Sequence, residues 1–511
     1  MSASSSAAAG VGSSPGYAAP PSADRSFFGH PRGLATLFFT EFWERFSYYG
    51  MRALLILFMT AAVTDGGLGF ETTRAGAIYG LYTAFVYLLA LPGGWVADRI
   101  VGQRRAVLIG AIIIALGHFS MAMPSVSTFY LGLVLIVIGT GLLKPNISTM
   151  VGELYPEGGA RRDAGFSVFY MGINLGAFVA PLITGWLGET IDWHLGFGAA
   201  GVGMVLGIVQ YLVGGKHLGQ IGVHPNVGND PAAASRNLRR LMIALGAAVV
   251  VVGGAWLLQN AGVLSITIEG VAGAAGGVIV GLALLYFAYM FFAGGLNATE
   301  RKRVTAVFVL FVFSAVFWSG FEQAGSSLNL VADRLTDRTF GAREMPASWL
   351  QSVNALMIII LAPVFAWLWI RLGARGREPS SPAKFTLGLV FLGLGFAVMI
   401  VAAQRAADGT LVSPMWLVLT YLLHTIGELC LSPVGLSTVT KLAPHRMVGQ
   451  MMGIWFMSIS LGNLFAGLIG GQFGTMAPAQ IFGLVAAVTI GAGVLLWLLV
   501  KPIRNLMSGV H

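Results

Sequence analysis

Fourteen long apolar runs separated by short polar turns fill the chain from about residue 34 to about residue 500. A helix needs ~20 mostly apolar residues to cross a bilayer. Runs of that order fall at 34–60, 75–97, 105–122, 127–151, 162–188, 194–213, 239–259, 266–293, 303–331, 347–371, 384–403, 412–439, 449–472 and 479–500, where Lys501-Pro502 is expected to stop the last. A polar stretch from Gly214 to Arg240 follows the sixth run, so the runs group as six, two and six. The pattern predicts an all-α membrane protein. One six-helix bundle lies over 34–213, a linker with two additional helices over 214–300, a second six-helix bundle over 301–500, and a cytoplasmic tail over 501–511. Residues 1–33 are rich in Ser, Ala, Gly and Pro and lack the basic start, apolar core and cleavage site of a signal peptide, which predicts a disordered cytoplasmic tail.

Composition points the same way: 56% of residues are hydrophobic and 10% charged, with mean hydropathy +0.78, whereas about a quarter of a soluble domain is charged. The net charge of +9 raises the question of an acidic partner, and the positions of the basic residues answer it. With the N-terminus inside, five of the 30 Lys and Arg fall outside (Arg74, Arg334, Arg338, Arg343, Arg405) and three within runs (Arg45, Arg52, Lys144); the rest lie inside. The positive-inside rule then puts both termini in the cytoplasm, and the partner of this charge is the lipid bilayer and not nucleic acid. Cys430 is the only cysteine, which excludes disulfides and cysteine metal sites.

Charge inside the runs carries the candidate chemistry. Glu41-Phe-Trp-Glu44-Arg45-Phe-Ser-Tyr48-Tyr49-Gly50-Met-Arg52 interrupts the first run. At about 100° per residue, Glu44, Arg45, Tyr48 and Arg52 all fall within about 60° of Glu41. Charges in hydrocarbon cost at least about 2.5–3.5 kcal/mol each on insertion scales, so this side must face protein, water or substrate. Lys144, Glu322 and Glu428 complete a set of seven intramembrane charges, four acidic and three basic. A near-balanced set fits a buried network with one surplus carboxylate to accept a proton. Burial raises a carboxylate's affinity for its proton and a neighbouring cation lowers it, so moving a partner couples proton movement to substrate movement.

Other polar positions carry weaker signals. Asn174, Asn354 and Gln351 fit a site or plain helix-to-helix hydrogen bonds equally well. Trp318, Tyr87 and Trp455 on their own merits read first as packing or interface residues, His424 as a neighbour bonding Glu428, and His118 as structural. An intramembrane enzyme would need a nucleophile or metal set, and neither His-Glu-x-x-His nor Gly-x-Gly-Asp occurs. His424 and Glu428 alone are too few for zinc, which takes at least three protein ligands in such sites. The phosphate-binding Gly-x-x-x-x-Gly-Lys-Ser/Thr of an ATP-driven pump is absent. Charges spread over four helices suit moving gates better than a fixed pore. No cofactor or metal is expected.

The stretch Asp98-Arg99-Ile-Val-Gly102-Gln-Arg104 resembles the cytoplasmic loop of the major facilitator transporters, and Arg371-Leu-Gly373-Ala-Arg375-Gly-Arg377 is a degraded counterpart in the second half. More specifically, Glu41-x-x-Glu44-Arg45-Phe-x-Tyr48-Tyr49-Gly50 resembles the first-helix signature of the proton-dependent oligopeptide transporter family. Gly93-Gly94-Trp-Val-Ala-Asp98-Arg99, Phe166-Ser-Val-Phe-Tyr170-Met-Gly-Ile-Asn174-Leu-Gly-Ala-Phe178 and Glu428-Leu-Cys-Leu-Ser432-Pro433-Val-Gly435 extend the resemblance over about 34–500.

The resemblance implies a major facilitator fold, with two extra middle helices as in bacterial members, and import of di- and tripeptides with protons by alternating access across a bacterial inner membrane, as a monomer. Carried over by position, Arg52 and Lys144 would hold the peptide carboxylate and Glu428, Asn354 and Asn174 its amine. Tyr48, Tyr49, Tyr87, Trp318, Ser432 and Trp455 would line the pocket. Glu41, Glu44 and Arg45 would serve proton coupling, with Glu322 pairing Arg52. Animal members carry a histidine on the second helix where Gly80 stands here, so carboxylates are expected to carry the proton. Plant relatives that carry nitrate make another small solute the alternative; Glu428, as an amine partner, favours peptides.

Overall fold

A computed structural model describes residues 24–225 and 231–508. Its helices are α1 (Arg32–Thr60), α2 (Thr72–Leu88), α3 (Ala90–Val96), α4 (Gln103–Met121), α5 (Val126–Glu153), α6 (Gly159–Thr190), α7 (Trp193–Gly214), α8 (Pro231–Asn260), α9 (Ile268–Ala293), α10 (Ala298–Phe321), α11 (Ser327–Arg334), α12 (Ser352–Ala374), α13 (Ser381–Arg405), α14 (Met415–Leu442), α15 (Val448–Gly471) and α16 (Pro478–Leu506). Two crossings are built from broken helices. A π-helical turn at Ala97–Val101 extends α2 and α3, and a 3-10 turn at Glu322–Gly325 joins α10 to α11. A short hairpin, β1 (Thr339–Phe340) with β2 (Arg343–Glu344), sits in the loop before α12.

Among the described residues thirteen helices are long and apolar enough to cross a membrane. The fourteenth crossing is α1, 29 residues long, whose Glu41, Glu44, Arg45 and Arg52 keep it out of that class. All fourteen expected crossings are present. The six crossings of α1–α7 form one half and the six of α10–α16 the other. The halves meet where α2 packs on α15 and α6 on α12. The α2–α15 contact is made backbone to backbone by glycines: a Cβ on Gly80 would lie 2.7 Å from the Leu464 carbonyl oxygen. Gly93 on α3 similarly lies against the Gly141 carbonyl of α5, which accounts for the first glycine of the pair before Trp95.

The two additional helices lie outside this pair of bundles. One face of α9 (Ala272, Gly276, Ile279, Ala283, Phe287, Met290) is buried, packing on α2 and α15 and, through Phe287, on Phe308 and Phe311 of α10, whereas no part of the apolar window of α8 is buried. The small-residue spacing at Gly277 and Gly281 points to close helix contact, but both face open space. It is Gly276, one position and about 100° away, that meets Leu464.

Both tail boundaries shift. Residues 1–23 of the expected disordered tail lie outside the described residues. From Asp24 the chain is pinned: Tyr155 Oη lies 2.8 Å from the Nδ1 of buried His30, and Arg161 donates to the Asp24 carbonyl at 2.9 Å. The Arg32 amide (2.9 Å) and then the Ser26 hydroxyl bond the Asp24 carboxylate and hold its pKa down at about 2. At the other end α16 runs through Pro502 to Leu506, so Pro502 does not stop it. Pro502 removes one hydrogen bond, the one its amide would have made to the Leu498 carbonyl, from the last turns of α16.

Candidate functional site

Between the halves lies a cavity of about 300 Å³, at the small end of the ~300–1,000 Å³ range of ligand sites. From α1 it is lined by Glu41, Arg45, Tyr49 and Arg52, residues spaced along one helical face. Glu44 and Tyr48 do not line it. Glu44 is fully buried, and Tyr48 stacks on Tyr82 of α2 with centroids 6.4 Å apart. The charged stripe expected on one side of α1 is therefore divided between a cavity face and a packed face. Glu44 is carried behind the cavity because it lies at the stripe's edge, and Tyr48 because its large ring finds an aromatic partner on α2.

The thirteen other expected site residues all line the cavity. Lys144 comes from α5 beside Pro145, Tyr87 from α2 and Asn174 from α6. From the second half come Trp318 and Glu322 at the α10 end, Asn354 of α12, Glu428 and Ser432 of α14, and Trp455 of α15. Gln351, whose sequence position fits a site or a structural role equally, also lines it, as do Ser148, Tyr170, Phe321 and Phe456, which carry no charge that marks them as site residues in the sequence. Tyr170 sits one turn before Asn174, whose amide bonds the Tyr170 carbonyl at 2.9 Å. That i, i+4 spacing was the available signal.

Arg45 Nε stands 2.9 Å from Glu41 Oε1 and 2.6 Å from Glu44 Oε2, although its N–H aligns with neither. The attraction here is between charges and not through a directed hydrogen bond. Arg52 Nη1 reaches Glu322 Oε2 at 3.0 Å, joining the halves through a buried pair. Lys144 forms no ion pair among the described residues; its Nζ lies 3.8 Å from the centroid of the Tyr87 ring, a cation–π contact. The Asn354 side-chain amide donates to Thr425 Oγ1 at 2.9 Å and Glu428 Oε2 at 3.4 Å. His424 does not bond Glu428. It is buried against Phe396, ring centroids 4.8 Å apart, and His118 is likewise buried.

The cavity is polarised. Its three cations, Arg45, Arg52 and Lys144, come from the first half, and two of its three carboxylates, Glu322 and Glu428, from the second. Its ends differ as well. At the end away from the described chain termini, bonds cross between the halves: Asn329 Nδ2 to the Ala53 carbonyl (2.8 Å), Trp349 Nε1 to the Leu182 carbonyl (3.0 Å) and Ser352 Oγ to the Phe178 carbonyl (2.8 Å). At the opposite end the lining residues Ser148 and Leu436 are exposed, Leu436 to 44%.

The comparisons agree with this architecture. The profile described as the POT family matches residues 104–482. The chain is 47% identical to the peptide transporter YePEPT of Yersinia enterocolitica, covering 95% of this chain and 97% of that one. It is 38% identical to a di-/tripeptide transporter of Lactococcus lactis, covering 96% and 99%. A solved peptide transporter POT, a mutant form in complex with alafosfalin, superposes with a TM-score of 0.86 at 44% identity, covering 95% and 97%. With two major-facilitator bundles around a charged, aromatic-lined cavity, this chain belongs to the POT family, whose members are membrane transporters and not enzymes.

Proposed function

We propose that the chain is a proton-coupled symporter that imports di- and tripeptides by alternating access. The observation that carries the reading is the split of charge across the cavity, cations from one half and most carboxylates from the other. A zwitterion spans such a gap with both ends matched. In this reading Arg52 and Lys144 take the peptide carboxylate, Arg52 with up to two donors, while Glu428, Asn354 and Asn174 take the amine. Tyr49, Tyr87, Trp318, Ser432 and Trp455 border the side chains. Relatives named for peptide or di-/tripeptide transport, and a solved relative holding alafosfalin, support the same substrate class.

Proton coupling follows from the count of charges. Glu41 and Glu44 share the single Arg45, so two carboxylates stand against one guanidinium and one of them is in surplus. The unmatched carboxylate holds the proton. Glu322 is released in the same way when Arg52 turns to substrate. The distribution of Lys and Arg places both termini in the cytoplasm, which makes the exposed end of the cavity the cytoplasmic one. The protein then sits in a bacterial inner membrane and acts as a monomer, since the two halves of one chain line the cavity.

Competition uptake tests the substrate. Labelled dialanine entering proteoliposomes is expected to be displaced by unlabelled dialanine and unaffected by nitrate. Displacement by nitrate without displacement by peptide would move the chain to the anion carriers.

A further inference from the structure

Glu189 ends α6 in the first half, and its carboxylate binds the start of a helix in the second. Oε2 accepts from the Ala347 amide at 2.6 Å and Oε1 from the Ser348 amide at 3.0 Å, and the Ser348 hydroxyl also donates to Oε1. Ala347–Gln351 is the 3-10 turn that leads into α12. The first amides of any helix lack intrahelical partners, and a carboxylate is favoured there by hydrogen bonding and by the helix dipole. Such a cap ordinarily comes from the residue just before the helix. Here it comes from 158 residues away, across the interface of the halves.

The capped turn delivers Gln351, whose amide reaches the Ala53 carbonyl at 3.4 Å, and one turn later Asn354, which bonds Glu428. We propose that Glu189 is a positioning residue for substrate: by capping the start of α12 from the opposite half, it holds Asn354 beside Glu428 only while this end of the cavity is closed. Closure of the outer end and assembly of the amine subsite are then one event. When the halves part here, the cap is lost, the turn before α12 loosens, and the amine loses its amide partner. The inference rests on the assignment of Asn354 and Glu428 to the peptide amine.

The test is binding of dialanine and of N-acetyl-dialanine, which lacks the charged amine, to purified protein in detergent. Loss of charged hydrogen bonds predicts that E189A weakens dialanine by about tenfold, while N-acetyl-dialanine changes by less than about twofold. E189Q, which keeps one acceptor oxygen, is expected to fall between and supplies the comparison should E189A fold poorly. The double variant E189A/N354A is expected to bind dialanine no more weakly than N354A alone. Equal loss for the two ligands, or additive loss in the double variant, would overturn the proposal. Wild-type protein that binds neither ligand would overturn the peptide reading itself, and this inference with it, before any variant is compared.

Discussion

Arg52 of α1 and Glu322 at the end of α10 form a buried pair 3.0 Å long that bridges the two halves, with neither side chain exposed beyond 6%. Removing one partner of such a pair leaves an uncompensated buried charge, at a cost of about 3–5 kcal/mol. Arg52→Ala is therefore expected to weaken closure of the outer end and abolish peptide binding together. Glu322→Gln is expected to lose proton-driven uptake yet retain counterflow, because a neutral amide mimics the protonated carboxyl. Full proton-driven uptake by both Glu322→Gln and Glu44→Gln would remove the carboxylates from the coupling role.

Tyr48 and Tyr49 are neighbours in sequence with opposite surroundings. Tyr49 lines the cavity and Tyr48 is buried against Tyr82. Tyr49→Ala is expected to raise KM for dipeptides and leave thermal stability near that of the wild type. Tyr48→Ala should cost stability on the scale of a buried aromatic truncation, about 3–5 kcal/mol, with little change in the KM of the protein that survives. Uptake kinetics and a thermal melt on each variant separate the two.

Lys144 rests on the Tyr87 ring and forms no ion pair among the described residues, so it is available to an incoming anion. Lys144→Ala is expected to weaken dialanine strongly and dialanine amide little, since the amide has no carboxylate to lose. A competition assay with both ligands reads this directly; equal weakening would assign Lys144 to another task.

Gly80 cannot host the histidine of the animal carriers without moving α15, whose Leu464 carbonyl stands 2.7 Å from the position of a Cβ. Gly80→Ala is expected to destabilise by about 1–3 kcal/mol, the usual range for an overpacked contact. Gly277→Ala, facing open space on α9, is expected to have no such effect. Melting temperatures of the two variants give the comparison.

Much of this molecule is written locally. Each crossing follows from an apolar run of bilayer length, and Lys144, Glu322 and Glu428 declare themselves because a charge inside such a run needs a reason. What the sequence hid depends on contacts between distant segments. Helical spacing puts Glu44 and Tyr48 with Arg45, but it takes the folded helices to show that neither lines the cavity, Tyr48 stacking instead on Tyr82 of another helix. Glu189 lies one residue past the end of its expected run and so resembles an ordinary polar helix end; only the fold brings Ala347 and Ser348 to it. Gly276 and Gly277 are indistinguishable until their neighbours are known. Asp24 to Pro31 precede the first apolar run and so read as part of the tail, yet burial of His30 against Tyr155 fixes them in place.

Uptake of labelled dialanine into proteoliposomes, with and without an inward proton gradient, tests the coupling of peptide to proton most directly. The charge-sharing account predicts accumulation above the external concentration only when the gradient is imposed, and its collapse on adding a protonophore. Accumulation indifferent to the gradient, or none under either condition by protein that remains folded, would contradict it.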